Sequence, residues 1–476
     1  MLPIIPYPHH VDLSDIRITI PASVNMAVYP TAALTLKDYA LRTHNIHMAI
    51  DPNGAVAFAA DPSMAPDAYT LTAEEGRVVI TAADARGAQN GVSTLIQLMQ
   101  PAEGGFTVPQ GTIRDASDSP WRGIMVDIAR NWKELHVLFE YVDLCRFYKI
   151  KYLHLHFTDD QSYTLPSKAY PNLSTPGRHY TEEEIKALIT YARARSVEII
   201  PEIDVPGHCT SFVNAYGDLF GTFGVIRQDE ASMAAMDTIF TELCELFSDS
   251  TYIHMGGDEA AIDKWLTDEP TVAAFRAAGV DVDGMEPHDL AQHMYASFIA
   301  RVCQTILSCG KTPVVWEGFG ESVNHMIPRE TVVMSWENFY QTTPSLQAAG
   351  FRLVNCSWLP LYSVIPTINP TREQVYDWSV YKWRPAHKGS PYYPDGMEIQ
   401  PTTQVEGGQL LAWGDVLESS YPVVAEGVRV EQALLESNAP ALAENLWNRS
   451  KVSDWEEFSE RAAKVDEIYA AFRAGK

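Results

Sequence analysis

The sequence lacks several features that would assign it to particular classes of protein. Its six cysteines form no CxxC pair, and a chain of 476 residues does not need disulfide bonds to build a core. No apolar run reaches the length of about 20 residues that spans a membrane. Basic residues are few, because 35 Lys and Arg against 61 Asp and Glu give a net charge of −26. This charge argues against nucleic acid and anionic membranes as partners and favours neutral small molecules.

The amino terminus, Met1 to Pro8, has no basic region followed by an apolar core. We therefore expect no signal peptide and a cytoplasmic location, although an exported protein whose signal had been removed would look the same. The sequence also has no internal repeat, low-complexity tract or glycine-rich phosphate loop. What it does have is 46% hydrophobic residues, which is typical of a globular protein with a large core.

The pattern of apolar residues divides the chain into two parts. Up to residue 117, short strand-like runs alternate with turn signals, and one amphipathic helix is predicted at residues 85–98. Residues 115–120 are typical of a linker. We therefore predict a small accessory α+β domain at residues 1–117 and a second domain at residues 118–476.

From residue 121 onward the apolar runs are short and continuous, and helical stretches separate most of them. The eight runs lie at residues 123–129, 152–157, 198–204, 252–258, 312–317, 331–337, 352–358 and 410–415. Continuous runs indicate parallel strands that are covered on both faces. A predicted crossover helix at residues 181–195 begins with Thr181, a candidate N-cap followed by three glutamates. Eight such units predict an α/β TIM (β/α)8 barrel, and the alternative is a doubly wound open sheet.

Polar or aromatic residues stand at the end of almost every run. They include Asp127, Arg130, Asp159, Asp160, Asp204, His208, Asp258, Glu259, Trp316, Trp336, Trp358, Tyr362, Trp413 and Asp415. Barrel enzymes build their sites from the carboxyl ends of the strands, so we expect these side chains to converge. Aromatic planes stack on the C–H faces of sugars, while carboxylates and guanidinium groups bind hydroxyls. The set therefore predicts a sugar pocket, and the alternative is that the tryptophans fill the barrel core.

The run that ends in Asp258 and Glu259 carries the most specific chemistry. Gly256 and Gly257 allow a tight turn just before the two carboxylates. Adjacent side chains leave a strand in opposite directions, so these two cannot easily flank one bond as the acid and nucleophile of many glycosidases do. We expect them to have different tasks. The alternative is a solvated acidic turn.

A second pattern indicates a rival function. His154 and His156 alternate on one predicted strand and therefore point the same way, and Asp159 follows them. Such a set can bind a divalent metal in a barrel hydrolase. His208 is the only candidate for a further ligand at the next strand ends, which weakens this hypothesis. The other alternative is that His154 and His156 are structural.

Four segments of the chain occur in the order found in a known family. They are WRGIMVDIAR at residues 121–130, HLHFTDDQ at 154–161, PEIDVPGH at 201–208 and HMGGDE at 254–259. With these segments the chain resembles the retaining β-N-acetylhexosaminidases, glycoside hydrolase family 20. The resemblance covers nearly the whole chain, because the amino-terminal part resembles the small accessory domain of that family.

The resemblance implies a mechanism in which the substrate supplies the nucleophile. Its 2-acetamido oxygen attacks the anomeric carbon and gives an oxazolinium intermediate. Glu259 would protonate the leaving oxygen and then act as base toward water. Asp258 would hold the acetamido N–H, and Tyr362 would donate to the acetamido oxygen. Asp159 and His208 would form a hydrogen-bonded relay behind Glu259.

The resemblance also implies the residues that hold the sugar. Arg130 would bind the ring hydroxyls O3 and O4 with help from Asp415. Trp316, Trp336 and Trp413 would wall the pocket and press the acetamido group into place.

The chain departs from the family pattern at two positions. Tyr362 is followed by Ser363 and Val364, where the family has Leu and then Asp or Asn, so one hydroxyl contact is lost or supplied elsewhere. Asp415 replaces a glutamate of the family and is one methylene shorter. The aromatic-rich segment at residues 369–407 is either a lid at an aglycone site or a loop that packs on the barrel.

We therefore predict an exo-acting β-N-acetylhexosaminidase that releases terminal β-linked N-acetylglucosamine or N-acetylgalactosamine. Its expected partner is an N-acetylhexosamine-containing oligosaccharide or glycoconjugate, with no nucleic acid, no membrane partner and no metal or organic cofactor. The rival predictions are a metal-dependent TIM-barrel hydrolase and a non-catalytic sugar-binding protein of the same fold. The sequence leaves open the configuration at C4, the natural aglycone, the oligomeric state and the source organism.

Overall fold

The computed structural model describes residues 1–221, 224–385, 390–421 and 423–475. The first sheet contains β1 (His10–Pro21), β2 (Ser23–Val24), β3 (Ala49–Ile50), β4 (Val56–Ala60), β5 (Tyr69–Glu74), β6 (Arg77–Ala82), β7 (Gln100–Ala102) and β8 (Gly105–Asp115). These strands follow the order β1-β8-β5-β6-β4-β2-β3, with β7 beside β8. Helices α1 (Pro30–His44) and α2 (Ala85–Leu98) pack against each other, and α2 also contacts β5 and β6. Strands and helices in this arrangement form the accessory α+β unit.

Eight of the remaining strands build a closed barrel. They are β9 (Trp121–Asp127), β10 (Tyr152–His156), β11 (Glu198–Glu202), β12 (Tyr252–His254), β13 (Thr312–Trp316), β14 (Val332–Ser335), β15 (Arg352–Asn355) and β19 (Val405–Trp413), while β16 (Tyr362–Val364) lies beside β19, and β17 (Lys382–Trp383) and β18 (Met397–Glu398) form a separate antiparallel pair. Strands β9 to β15 are parallel neighbours, and β19 pairs in parallel with both β15 and β9, which closes the ring. The short strand β16 pairs with the end of β19. The predicted TIM barrel with a preceding α+β unit is therefore confirmed.

Helices cover the outside of the barrel. They are α3 (Leu135–Phe147), α4 (Glu182–Ala194), α5 (Thr210–Phe220), α6 (Glu230–Leu246), α7 (Glu269–Ala277), α8 (Pro287–Ser308), α9 (Thr343–Ala348), α10 (Trp358–Leu361), α11 (Arg372–Asp377), α12 (Leu417–Ser420), α13 (Val424–Trp447) and α14 (Trp455–Ala474). Single 3₁₀ turns lie at Pro171–Leu173, Ile262–Thr267 and Glu321–Met326. The predicted cap of α4 is confirmed: Thr181 Oγ1 accepts the Glu184 N–H at 3.1 Å, and Glu184 accepts the Thr181 N–H at 2.8 Å. No helix of the described residues is long and apolar enough to cross a membrane.

The structure gives the exact bounds of the barrel strands and crossovers, and they refine the predicted pattern. Strand β12 ends at His254 rather than at residue 258, because the two following glycines turn the chain away from the ladder. Strand β19 begins earlier than predicted, at Val405. Between β13 and β14 the chain makes only the 3₁₀ turn Glu321–Met326, so this crossover has no α-helix.

The aromatic-rich segment at residues 369–407 packs on the barrel where the structure describes it. Trp378 and Trp383 are buried, and the Trp383 indole N–H donates to Ser335 O at the end of β14. Tyr392 is exposed. Residues 386–389 of this segment lie outside the described residues. The packing of the two tryptophans favours the loop alternative over the lid.

A buried carboxylate joins the accessory unit to the barrel. Asp143 of α3 accepts hydrogen bonds from Arg42 of α1 at 3.1 Å and from Arg195, just after α4, at 2.8 Å. The hydroxyls of Tyr39 and Tyr191 complete the set at 3.4 and 3.0 Å. One side chain thus connects three helices from both parts of the chain.

Candidate active site

Four neighbouring barrel strands place polar side chains in one row at their carboxyl ends. The register sets Asp127 of β9 beside His156 of β10, His156 beside Glu202 of β11, and Glu202 beside His254 of β12. All four side chains are buried. Partners in a parallel register point to the same side of a sheet, so the row forms one polar layer beneath the loops.

Two glycines lead from this row to the predicted carboxylate pair. Gly256 and Gly257 have φ values of 75° and 98°, and a Cβ atom at Gly256 would overlap the Asp204 side chain. Beyond this turn Asp258 is 7% exposed, whereas the Glu259 side chain is 54% exposed. The turn, rather than the alternation of a strand, gives these two neighbours different environments.

Glu259 lies at the outer end of the predicted relay. Nε2 of His208 is 3.4 Å from Glu259 Oε2, and Nδ1 of His208 is 3.3 Å from Asp159 Oδ1. His208 and Glu259 both have left-handed backbone conformations, with φ values of 45° and 46°. Residues with a Cβ seldom adopt this conformation unless the surroundings enforce it. The fold therefore enforces the position of the imidazole between the two carboxylates.

The proton between His208 and Glu259 resides on the His208 ring. Burial opposes the charge on His208, but Asp204, Asp159 and Glu259 raise its pKa well above the ordinary value. The hydrogen bond from His208 lowers the pKa of Glu259. At neutral pH the free site therefore contains an imidazolium next to an ionised carboxylate, and the two groups titrate as a pair. Glu259 becomes a proton donor when this proton crosses to its carboxylate.

The pKa of Asp258 is shifted in the opposite direction to that of Glu259. Burial, and then the neighbouring charge of Asp204, raise the pKa of Asp258 well above its usual range. Its Oδ1 atom is buried and has no hydrogen-bond partner among the described residues. Buried polar atoms in native proteins are nearly always paired, so this oxygen is suited to accept an N–H or O–H from a bound molecule.

Acidic side chains fix Arg130 at the same end of the barrel. Its Nη2 is 2.7 Å from Asp159 Oδ2, and its Nη1 is 3.1 Å from Asp127 Oδ2. Asp127 also accepts the backbone N–H of Gly414 at 3.0 Å, which ties β9 to the loop after β19. Asp415 is half exposed and lies 4.0 Å from Arg130. Burial opposes the charge of Arg130, but Asp159 and Asp127 raise its pKa, so the guanidinium stays charged.

Aromatic rings form another side of the site. The Tyr362 ring is stacked on Trp336 at a centroid distance of 6.2 Å and is 5.9 Å from the ring of Trp413. Burial raises the pKa of Tyr362 well above its usual range, and the charges of Asp258 and Glu259 add to the effect. The hydroxyl of Tyr362 therefore stays protonated and can donate a hydrogen bond.

Trp316 lies behind this aromatic wall. It is 0% exposed, its indole N–H donates to Glu202, and its ring centroid is 5.8 Å from that of Trp413. Its position supports Trp413 from the barrel interior. Of the three predicted wall tryptophans, only Trp413 is more than slightly exposed.

Sequence analysis does not identify two acidic residues next to the aromatic wall. Glu317 is fully buried and accepts the backbone N–H groups of Asn338 at 2.8 Å and Phe339 at 2.7 Å, which fixes the loop after β14. Burial raises the pKa of Glu317 to about 7. Glu337 belongs to this loop, and burial together with the charge of Glu259 raises its pKa to about 7. Each glutamate directly follows a strand-end tryptophan, and that position is the signal that identifies it.

Several acidic and histidine groups are compact enough, on distance alone, to hold a cation. The donor atoms lie within 4.8 Å of one another in four overlapping trios: His154, Glu202 and His254; His156, Glu202 and Asp204; Asp159, Asp204 and His208; and His208, Asp258 and Glu259. The carboxylates of Glu202 and Asp159 already face protein cations or N–H donors, including His156 and Arg130. This pairing favours a charge-balanced network over a metal centre.

Two family profiles match the chain. One, described as "Glycosyl hydrolase family 20, catalytic domain", matches residues 119–450, and one described as "Glycosyl hydrolase family 20, domain 2" matches residues 1–116. The chain is 28% identical over 426 residues to "Beta-hexosaminidase subunit beta" of Rattus norvegicus, with 84% of this chain and 73% of that protein covered. It is also 28% identical over 446 residues to a "Beta-hexosaminidase" of Akkermansia muciniphila, with coverages of 84% and 83%.

Solved structures share the architecture. The "GH20 Exo beta-N-Acetylglucosaminidase from Vibrio harveyi" superposes with a TM-score of 0.80 at 21% identity and covers 98% of this chain and 77% of its own. The "beta-N-acetylhexosaminidase from Bacteroides fragilis" gives 0.78 at 20% identity, with 98% and 96% covered. At this level of identity the two structures establish the fold alone.

Proposed function

The chain belongs to glycosyl hydrolase family 20 and is a glycoside hydrolase, and from this premise we propose that it is an exo-acting β-N-acetylhexosaminidase. It removes terminal β-linked N-acetylglucosamine or N-acetylgalactosamine from an oligosaccharide or glycoconjugate. The observation that carries the proposal is the contrast between Asp258 and Glu259. One carboxylate is buried with an unpartnered oxygen, and the other lies 3.4 Å from a ring nitrogen of His208 at a half-exposed position.

We propose that the substrate itself supplies the attacking atom. The acetamido carbonyl oxygen forms a bond to C1 as the glycosidic C1–O bond breaks, and the proton of Glu259 passes to the leaving oxygen. Asp258 accepts the acetamido N–H, and the positive charge that develops on the oxazolinium nitrogen favours its ionised form, which offsets that charge. Water then adds to C1 while Glu259 takes its proton, and the bond between C1 and the acetamido oxygen breaks to restore the acetamido group. Each of the two displacements inverts C1, so its configuration is retained.

The other residues of the site bind and orient the sugar in this proposal. Tyr362 donates its hydroxyl to the acetamido oxygen, and Trp413 and Trp336 enclose the acetamido group. Arg130 binds ring hydroxyls with Asp415 beside it. The apolar Val364 offers no hydroxyl contact, so the residues at O4 are Arg130 and Asp415.

A panel of chromogenic β-glycosides tests the proposal. We expect turnover of the N-acetylglucosaminide or N-acetylgalactosaminide and essentially none of the glucoside and galactoside, since these lack the acetamido oxygen. A thiazoline mimic of the bicyclic intermediate should bind far more tightly than the product sugar. Efficient hydrolysis of the plain glucoside, or a sugar trapped covalently on a protein carboxylate, would contradict the substrate-assisted mechanism.

A chelator distinguishes this proposal from a metal-dependent hydrolase. We expect the rate to be unchanged after treatment with EDTA, because every step uses protein and substrate groups. Inhibition that added zinc reverses would favour the metal-dependent alternative. Binding of N-acetylglucosamine without turnover of any glycoside would favour a sugar-binding protein.

A further inference from the structure

The hydrogen-bonded chain behind Glu259 does not end at Asp159. His156 Nε2 is 2.9 Å from Asp159 Oδ2, and His156 Nδ1 is 2.6 Å from Glu202 Oε2. The contacts therefore continue from Glu259 through His208, Asp159 and His156 to Glu202. These five residues form one continuous series of polar contacts.

We propose that His156 is a positioning residue that remains an imidazolium and, by balancing the charge of Asp159, sets how readily His208 passes its proton to Glu259. This inference rests on the proposed function, in which Glu259 is the proton donor. His156 and Glu202 are fully buried, so they lie beneath the groups that face the substrate.

The contacts of the His156 ring indicate that it is charged. Both ring nitrogens face carboxylate oxygens, and an imidazole can donate from both nitrogens only when it carries two protons. The ring is 0% exposed, so water cannot replace either contact. Burial opposes the charge, but Glu202 and Asp159 raise the pKa of His156 well above its ordinary value, and Asp127 adds to the effect.

Titratable groups on the neighbouring strands and loops face His156. Glu202 lies on β11, Asp127 on β9, and Asp159 follows β10. Asp204 also interacts with His156 electrostatically, and the ring of Trp413 makes an edge-on contact at 5.1 Å. His154 lies two residues earlier on the same strand. Acidic groups therefore dominate the surroundings of His156.

His154 provides a matched control two residues away. It lies on the same strand, is 0% exposed, and its Nε2 is 3.1 Å from the same oxygen of Glu202. Its Nδ1 faces the amide nitrogen of Gln409 at 3.2 Å, which requires an unprotonated nitrogen. Burial lowers the pKa of His154 to about 4, so this ring is neutral. His154 touches Glu202 but not Asp159.

The direction of the expected effect follows from charge. Without a cation at position 156, Asp159 keeps Arg130 at 2.7 Å but loses one of its compensating charges. It then holds the proton on His208 more strongly, so the His208–Glu259 pair loses its last proton at higher pH. The basic limb of the kcat/KM profile should therefore move upward in His156→Gln by about one pH unit, and kcat should fall about tenfold while KM changes little. His154→Gln should leave the position of the limb unchanged.

Two measurements on the full chain test this inference. The first compares the pH profiles of wild type, His156→Gln and His154→Gln on a chromogenic N-acetylglucosaminide, after thermal melting has shown that each variant folds. The second follows the histidine ring resonances of wild type by NMR between pH 5 and 9. There His156 should stay doubly protonated at neutral pH while His154 stays neutral.

The two measurements also separate this inference from the proposed function. Equal profiles for the two variants, or a neutral His156 ring at pH 7, would overturn the role of His156. The NMR experiment needs no turnover, so it decides the charge of His156 even if the enzyme does not act on N-acetylhexosaminides. It decides alone if His156→Gln does not fold.

Discussion

At the scale of single residues, Asp258 and Glu259 acquire opposite proton affinities although they are neighbours in the sequence. Burial raises the pKa of the first, and the His208 contact lowers that of the second. The difference arises because the turn at Gly256 and Gly257 buries one side chain and leaves the other at the surface. Their substitution should therefore give distinct kinetic results.

Glu259→Gln should remove proton donation and leave binding of the sugar largely unchanged. We expect kcat to fall by about a hundred- to ten-thousand-fold on a natural disaccharide. The loss should be smaller for a nitrophenyl glycoside, because nitrophenolate leaves without a proton. Steady-state kinetics on both substrates measure this contrast, and near wild-type turnover of the disaccharide would remove Glu259 from the mechanism.

Asp258→Asn should lower kcat/KM by about a hundred- to a thousand-fold, because an amide cannot offset the charge on the acetamido nitrogen. The side chain keeps its size, so the melting temperature should not fall. Kinetics on N-acetyl substrates and a melting curve check both statements. A loss confined to KM would mean that Asp258 only binds the ground state.

At the scale of elements, the loop after β14 depends on one buried carboxylate. The four backbone N–H groups of residues 336, 338, 339 and 340 all point to Glu317, and the Trp336 indole N–H donates to its carbonyl oxygen at 2.9 Å. Glu317 thereby holds the loop that carries Trp336 and Glu337.

Glu317→Gln should loosen this loop, because the new amide NH₂ meets N–H donors and leaves some of them unpaired. We expect a loss of stability of about 1–3 kcal/mol and a raised KM for N-acetyl substrates. Glu444→Gln is a suitable control, since Glu444 is equally buried but pairs with Arg461 on α14. Its variant should lose stability without a change in KM. Equal KM values in both variants would show that Glu317 does not position the pocket.

Sequence patterns predicted elements well where burial alone determines them. Each of the eight continuous apolar runs overlaps a barrel strand, and the cap at Thr181 is found as predicted. Helix α1 escaped prediction because small residues such as Ala32, Ala33 and Ala40 form much of its buried face. Strand β12 ends earlier than predicted. Gly256 and Gly257 continue the apolar run in the sequence, but their positive φ values turn the backbone out of the extended conformation.

The sequence predicted the site residues at the ends of strands, but it did not predict the contacts that join residues of neighbouring strands. Glu259, His208 and Asp159 follow predicted strands, and the structure places them in contact. The link from His156 to Glu202 depends on the register of β10 against β11, which a single sequence does not specify. The burial of Trp316 likewise depends on which way its ring turns within the barrel.

At the scale of the whole molecule, the accessory unit and the barrel share buried charges. Asp143→Ala should destabilise the protein by about 3–5 kcal/mol, because Arg42 and Arg195 would keep their charges in a largely buried place without this partner. Denaturant unfolding measures the loss. Asp237→Ala, which removes a partly exposed partner of Arg301, should cost less than about 1 kcal/mol. Equal losses in the two variants would mean that Asp143 does not join the two parts.

The left-handed backbone at Glu259 implies a conflict between durability and activity. An L-residue pays about 1–2 kcal/mol for this conformation, and glycine does not. Glu259→Gly should therefore unfold at a higher denaturant concentration than Glu259→Ala, the reverse of the usual order for the two residues. Selection for heat resistance alone would favour glycine at a position where catalysis requires a carboxylic acid.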